Sequence, residues 1–75
     1  MSCIPCIVFP TSTNNWMAQL ESGSAGPFVD RDLALQVAVI EAQRLRRLNK
    51  PARVVIIAED GTVKAERCLC QAFNR

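Results

Sequence analysis

Residues 30–51 read DRDLALQVAVIEAQRLRRLNKP, and this stretch decides the fold of the chain. Asp30 is a typical helix N-cap, because its carboxylate can accept hydrogen bonds from the free N–H groups of a first turn. Apolar residues then recur at helical spacing. Pro51 cannot continue a helix, since it lacks a backbone N–H and clashes with the preceding turn. The stretch therefore predicts one helix over residues 31–49.

The same spacing predicts which face of the helix is buried. Six residues recur at intervals that place them on one face: Leu33, Ala34, Val37, Ala38, Leu45 and Leu48. Four polar residues fall on the opposite face: Gln36, Gln43, Arg47 and Lys50. Three further apolar residues lie outside the main stripe: Leu35, Val39 and Ala42. The helix is therefore more broadly apolar than one buried face requires.

Short apolar segments on both sides of the helix predict strands. Residues 4–9 are largely β-branched or aromatic, and residues 16–20 alternate in polarity, so together they predict a hairpin. We expect a loop over residues 21–27, which are rich in Gly and Ser, followed by a brief third strand at Phe28 and Val29.

A second hairpin follows the helix. Residues 54–58 are β-branched at four of five positions, and Asp60-Gly61 after them favours a two-residue type I′ turn. Residues 62–69 complete the hairpin, and residues 71–75 are expected to form a tail. The predicted fold class is α+β, in the order β-β-(β)-α-β-β. One helix packs on one face of an antiparallel sheet of four to five short strands, in a single domain over residues 1–75 with its core at about 4–70.

Composition excludes several kinds of chemistry. The 75 residues suffice for one domain and contain no His and no Tyr. A Ser–His or Cys–His nucleophile and a His-ligated metal are therefore excluded, and we predict that the protein is not an enzyme. No apolar stretch is long enough to span a membrane, and residues 1–10 lack the basic segment of a secretory signal. The cytoplasm is the predicted location.

The apolar surface exceeds what one short chain can hide. A single helix covers only one face of a sheet, yet residues 54–57 are apolar on both faces. Large exposed apolar patches usually mark interaction sites. We therefore expect a homodimer or a standing protein partner. The alternative is that residues 21–29 and the tail fold over the second face.

Four cysteines at the two ends of the chain allow a zinc site. Cys3, Cys6, Cys68 and Cys70 could supply four thiolates if the terminal strands lay side by side. Against this, Cys3 and Cys6 differ in strand parity, and the C-x-C spacing of the second pair is tight. A redox role, a disulfide and free thiols that behave as small hydrophobes remain open alternatives.

A run of cations near the end of the helix allows a nucleic-acid site. Five basic residues occur within ten positions without an intervening acid: Arg44, Arg46, Arg47, Lys50 and Arg53. Such a patch can contact phosphates, although the helix dipole alone favours cations at this end. Glu41 lies close to the apolar face of the helix. We expect it to pair with Arg44 or Arg53 rather than to act as a general base.

The chain also resembles a known family of short bacterial proteins, catalogued only as a domain of unknown function. The resemblance rests on Val8-Phe9-Pro10, Trp16, Phe28 with Asp30, the strand at 54–57 and Asp60-Gly61. It covers about residues 7–67 and implies a compact sheet with one helix and a bacterial origin. No catalytic residues are assigned to that family. Cys3 and Cys6 at the start of the chain and Cys68 and Cys70 at the end all lie outside the resemblance.

The leading hypothesis is a non-enzymatic protein-interaction module that needs no cofactor. It acts as a cytoplasmic homodimer or an adaptor through the surfaces of its sheet and helix. The two alternatives are a structural zinc module that uses the four cysteines and a nucleic-acid-binding protein that uses the basic cluster.

Overall fold

The computed structural model describes residues 3–11 and 14–68. Its elements, in chain order, are β1 (Ile4–Pro10), β2 (Trp16–Leu20), β3 (Gly23–Phe28), α1 (Arg31–Arg47), β4 (Ala52–Ile57) and β5 (Val63–Cys68). The predicted α+β class, with one helix on one face of a sheet, is confirmed. The predicted tail at 71–75 lies outside the described residues.

The five strands form one sheet in the order β3-β2-β1-β4-β5. β1 to β3 form an antiparallel meander, and β4 pairs with β5 as a hairpin. α1 connects β3 to β4 and returns the chain to the sheet beside β1, so that β1 and β4 run parallel. The antiparallel arrangement predicted from the sequence therefore holds for three of the four strand pairs.

The prediction of a loop over residues 21–27 is wrong, because residues 23–27 belong to β3. Gly23 pairs with Leu20, and Ala25 pairs with Ala18. β3 is an edge strand, where Pro27 is tolerated because one side of the backbone needs no partner. The segment lies beside β2 in the sheet, so it does not cover the second face.

Both ends of α1 follow from local chemistry. The carboxylate of Asp30 accepts a hydrogen bond from the backbone N–H of Leu33 at 2.9 Å, as expected of an N-cap. At the other end, Asn49 adopts a left-handed φ of 63°. The N–H groups of Asn49 and Lys50 bond to the carbonyls of Arg46 and Leu45 at 3.0 and 2.8 Å. This Schellman motif ends the helix at Arg47, two residues before the predicted end.

The buried face of α1 is rotated from the predicted one. The buried residues of the helix are Ala34, Ala38, Glu41, Ala42 and Leu45. Leu33 and Leu48, both predicted to be buried, are 41% and 54% exposed. The physical reason is close approach, because alanine side chains let the helix lie near the sheet where larger leucines would hold it away. Leu35 and Val39 pack at the edge of this core.

The core lies between α1 and the middle of the sheet. It consists of the alanines and Leu45 of the helix together with sheet residues that face it: Cys6, Val8, Ala52 and Val54. Trp16 is half-buried and packs against this core. The helix therefore buries one face of the sheet.

The hairpin predicted after the helix is confirmed as β4 and β5, but the prediction of a type I′ turn is wrong. Only Gly61 of the turn has a left-handed φ, at 90°. The N–H of Gly61 bonds to the carbonyl of Ala58 at 2.9 Å, and the carboxylate of Asp60 accepts bonds from the N–H and hydroxyl of Thr62. Those bonds hold the pKa of Asp60 below its usual value. The loop is longer than the two residues of a type I′ hairpin.

Gly26 is a position where a side chain does not fit, which gives a test of the β2–β3 pairing. An added Cβ would lie 3.0 Å from Sδ of Met17 and 3.1 Å from the carbonyl oxygen of Trp16, at a φ of 119°. Gly23 has a similar φ of 131° but open space around it. We expect Gly26→Ala to lower the free energy of unfolding by about 2–3 kcal/mol and Gly23→Ala by about 1 kcal/mol. Urea denaturation measures both, and equal losses would contradict the described contact.

Candidate functional site

An ion pair between a buried carboxylate and a partly exposed arginine lies on the helix. Glu41 is 8% exposed, and its two carboxylate oxygens accept hydrogen bonds from Nε and Nη2 of Arg44 at 3.1 and 3.0 Å. This confirms the predicted pairing with Arg44. Ser22, in the turn between β2 and β3, also bonds to the carboxylate. The Arg44 bond is the main reason that the pKa of Glu41 is lowered, so the carboxylate stays ionised near neutral pH.

Cys6 lies beneath the helix as a free, fully buried thiol. Burial raises its pKa, and the negative charges of Glu41 and Glu21 raise it further. A thiol in this environment stays protonated and is a poor nucleophile or metal ligand. The buried thiol and carboxylate therefore form a structural cluster in which neither group is prepared for proton transfer or attack.

The lowered pKa of Glu41 predicts a specific dependence of stability on pH. The pair stabilises the fold fully above the ordinary carboxyl pKa of 4.5, and this stabilisation is lost as the pH falls through the lower pKa of the folded state. Glu41→Gln is expected to lower the free energy of unfolding by about 1–3 kcal/mol at pH 7. The difference between wild type and variant should shrink toward pH 3.

Urea denaturation at several pH values measures this difference. Glu59→Gln is the control, because Glu59 is exposed and lies in the turn after β4. Its curve should follow that of the wild type. If the gap between Glu41→Gln and wild type stayed constant with pH, the described pair would not be the source of the stabilisation.

The structure separates the strands that carry the cysteines. β1 and β5 are not neighbours, because β4 lies between them. β1 and β5 therefore lie one strand apart rather than side by side. Cys3 is disulfide-bonded, so a site with four free thiolates would require that bond to be reduced. Cys70 and the side chain of Cys68 lie outside the described part of the chain, and the zinc site stays a prediction.

The basic cluster is divided between two faces of the molecule. Arg44 bonds to Glu41, and Lys50 lies 3.6 Å from Glu21. Arg53 lies on β4, on the sheet face away from the helix, and pairs with Glu66 at 3.2 Å. Arg46 and Arg47 make no ion pair within residues 3–11 and 14–68. Nucleic-acid binding through all five cations stays a prediction, and only two of them have no carboxylate partner there.

Other described features add no ligand site. Residues 3–11 and 14–68 contain no group of three or more Cys, Asp or Glu side chains placed to hold a metal. Within the same residues, no helix combines the length and the apolar character needed to cross a membrane.

Among the described residues, three of the five exposed large apolar side chains lie on α1 or at its C-cap, and the other two are Val29 and Val63. Ile40 is 63% exposed, and Leu33 and Leu48 are 41% and 54% exposed. At about 100° per residue, Leu33 and Ile40 lie within about 20° of each other around α1, and the C-cap residue Leu48 lies about 80° further round. We call these three residues the helix stripe. A fully solvated helix face normally carries polar side chains. The stripe is therefore apolar surface that the fold leaves uncovered.

The second apolar surface is the sheet face opposite α1, which we call the outer sheet face. Strand alternation places five apolar residues on it: Ile7, Phe9, Met17, Val55 and Ile57. Val55 is 8% exposed, and the other four are half-buried. Within residues 54–57, the structure buries Val54 on one face and Val55 on the other, and it leaves Ile56 and Ile57 half-buried.

A groove of about 410 Å³ lies between α1 and the β4–β5 edge of the sheet. Its walls and floor are mainly Leu35, Val39, Val54, Ile56 and Ala65. It is an open, apolar depression, and its polar margin is formed by Gln43, Glu66 and Arg67. The groove adds to the apolar surface on one flank of the helix.

Comparison of this chain with known proteins found no match. No family model, no curated protein and no solved structure matches it. The resemblance to a family of unknown function stays an expectation. The candidate site is therefore defined by geometry, and its main component is the helix stripe.

The sequence pattern did not single out Ile40 as an exposed apolar residue, and it assigned Leu33 and Leu48 to the core. A signal was present, because the helix carries apolar residues around most of its circumference and alanines along one line. Ala34, Ala38 and Ala42 recur every four residues, which is the spacing of a closely packed helix face.

Proposed function

We propose that this protein is a non-enzymatic protein-interaction module that associates with itself through apolar side chains on the outside of its fold. One observation carries the proposal: α1 buries alanines and leaves the larger Leu33, Ile40 and Leu48 in solvent. Exposed apolar side chains that cluster on one surface are typical of interaction sites.

The chemistry of the described residues supports a binding role. The chain has no His, its buried thiol has a raised pKa, and its buried carboxylate is held by Arg44. General acid–base catalysis requires a group whose pKa lies near the working pH. The pKa of Glu41 is lowered and the pKa of Cys6 is raised, so both pKa values move away from that range.

Size favours a second copy as the partner. A chain of 75 residues buries only about 60% of the surface that it exposes when unfolded, and association commonly adds to the stability of such small domains. Most soluble oligomers are homo-oligomers, and dimers with two-fold symmetry are the commonest.

Analytical ultracentrifugation of the full chain tests the proposal. We expect the weight-average mass to rise reversibly from monomer to dimer between about 1 µM and about 1 mM. A non-reducing denaturing gel of the same samples shows whether any dimer is linked by a disulfide. A monomer mass throughout this range, or a dimer that exists only as a disulfide-linked species, would overturn the proposal.

The cytoplasmic location stays a prediction. The disulfide at Cys3 counts against it, because disulfides persist mainly in oxidising compartments.

A further inference from the structure

We propose that two copies pack their α1 helices side by side in opposite directions, about a two-fold axis close to Ile40. This inference rests on the proposed function and specifies its partner, its surface and its geometry. The partner is a second copy of this chain, and the contact is the helix stripe.

The stripe has the symmetry that such a contact needs. Leu33 lies seven residues before Ile40, and Leu48 lies eight residues after it. In an antiparallel pair, Leu33 of one copy therefore lies beside Leu48 of the second copy, and the two Ile40 side chains meet near the axis. An interface with two-fold symmetry uses the same patch on both copies. Leu33 of each copy is therefore covered by Leu48 of the other copy.

The charges at the ends of α1 select the antiparallel direction. Asp30 and Asp32 lie at the start of the helix on either side of Arg31, so one negative charge is in excess there, and Arg46 and Arg47 lie in its last turn. The two aspartates and the two arginines of the last turn are exposed. Asp32 and Arg47 are about 22 Å apart along the axis, so they cannot pair within one chain. Neither has an ion-pair partner in the part of the chain that the structure describes.

Antiparallel packing brings the acidic start of each helix beside the basic end of the other. Parallel packing would place acid beside acid and base beside base. The helix dipoles act in the same sense, because their opposite ends attract each other when two helices run in opposite directions. Charge complementarity and the spacing of the stripe therefore favour the same arrangement.

Arg44 lies within the stripe between Ile40 and Leu48, and its charge is compatible with this contact. Its guanidinium makes two hydrogen bonds to Glu41, so the pair is close to neutral. Its aliphatic stem can pack against apolar side chains while the charged group remains with Glu41.

A charge-exchange experiment tests both the contact and its direction. In the proposed pair, Asp32→Arg replaces the anion beside Arg47 of the second copy by a cation, and Arg47→Asp replaces the cation beside Asp32 of the second copy by an anion. We expect each variant alone to dimerise about tenfold more weakly than the wild type, because attractive pairs become repulsive. An equimolar mixture should form a heterodimer about as strongly as the wild type dimerises. Sedimentation measures all three samples, and circular dichroism confirms that each variant folds.

Salt and a variant on the other surface provide the controls. The difference between the single variants and their mixture should largely disappear at about 1 M NaCl, where charges are screened within about 3 Å. Gln19→Glu places a charge among the apolar residues of the outer sheet face, beside Ile7. It should leave dimerisation unchanged.

The outcomes separate this inference from the proposed function. If the wild type dimerises but the mixture is no stronger than either variant, the antiparallel helix contact is wrong while self-association stands. The same holds if Gln19→Glu weakens the dimer and the charge variants do not, since the contact then uses the outer sheet face. A wild type that remains monomeric overturns both.

Discussion

Leu45→Ala is expected to lower the free energy of unfolding by about 2–5 kcal/mol, and Leu48→Ala by less than about 0.5 kcal/mol. Leu45 is the largest fully buried side chain, whereas Leu48 is 54% exposed. Truncation at Leu45 removes buried apolar contacts and leaves a cavity beneath the helix. Truncation at Leu48 removes surface that is already in water.

This pair of variants tests the orientation of α1, because simple helical spacing places both leucines on the buried face. Urea denaturation at low micromolar concentration measures both, so that dimer formation adds little to the apparent stability. Comparable losses at the two positions would contradict the described rotation of the helix.

Ile40→Glu is expected to weaken dimerisation by at least about 100-fold, because it replaces an apolar side chain by a carboxylate that must be desolvated at the centre of the contact. Ile40→Ala should weaken it by about tenfold, since it removes apolar contact without adding a charge. Ile40 is 63% exposed, so neither substitution should destabilise the monomer by more than about 0.5 kcal/mol.

Sedimentation measures the dissociation constants, and Gln19→Glu is the matched control because it adds the same charge on the other side of the sheet. A dimer that tolerates Ile40→Glu but not Gln19→Glu would show that the outer sheet face is the contact. Full dimerisation of both variants would exclude both surfaces.

Local signals account for what could be predicted of the fold. Asp30 begins the helix, the β-branched residues of β4 form a strand, and Asp60-Gly61 predicts the second hairpin. Each depends on neighbouring residues, and each is confirmed. The predicted partner of Glu41 is also local, since Arg44 lies one helical turn away.

Non-local arrangements account for what could not be predicted. The parallel pairing of β1 with β4 depends on where α1 returns the chain, and no residue in either strand records it. β3 has the composition of a loop and becomes a strand because β2 offers an edge. The separation of Arg53 from the other cations follows from strand alternation, which linear spacing hides.

The prediction of which face of α1 is buried is wrong, and this matters most because the buried face decides which side chains are available to a partner. Leucine is more apolar than alanine, so a hydrophobicity pattern assigns Leu33 and Leu48 to the core. The structure selects Ala34, Ala38 and Ala42 because a closely packed helix needs small side chains against the sheet. The candidate site is thus the part of the apolar pattern that close packing leaves outside.

Methyl NMR of the wild type on dilution tests whether a second copy binds the apolar side chains that α1 leaves outside. We expect the methyl signals of Leu33, Ile40 and Leu48 to shift together along one dimerisation curve, while those of Ile7 and Ile57 remain fixed. Methyl signals that are all independent of concentration up to about 1 mM would contradict it, as would shifts confined to Ile7 and Ile57.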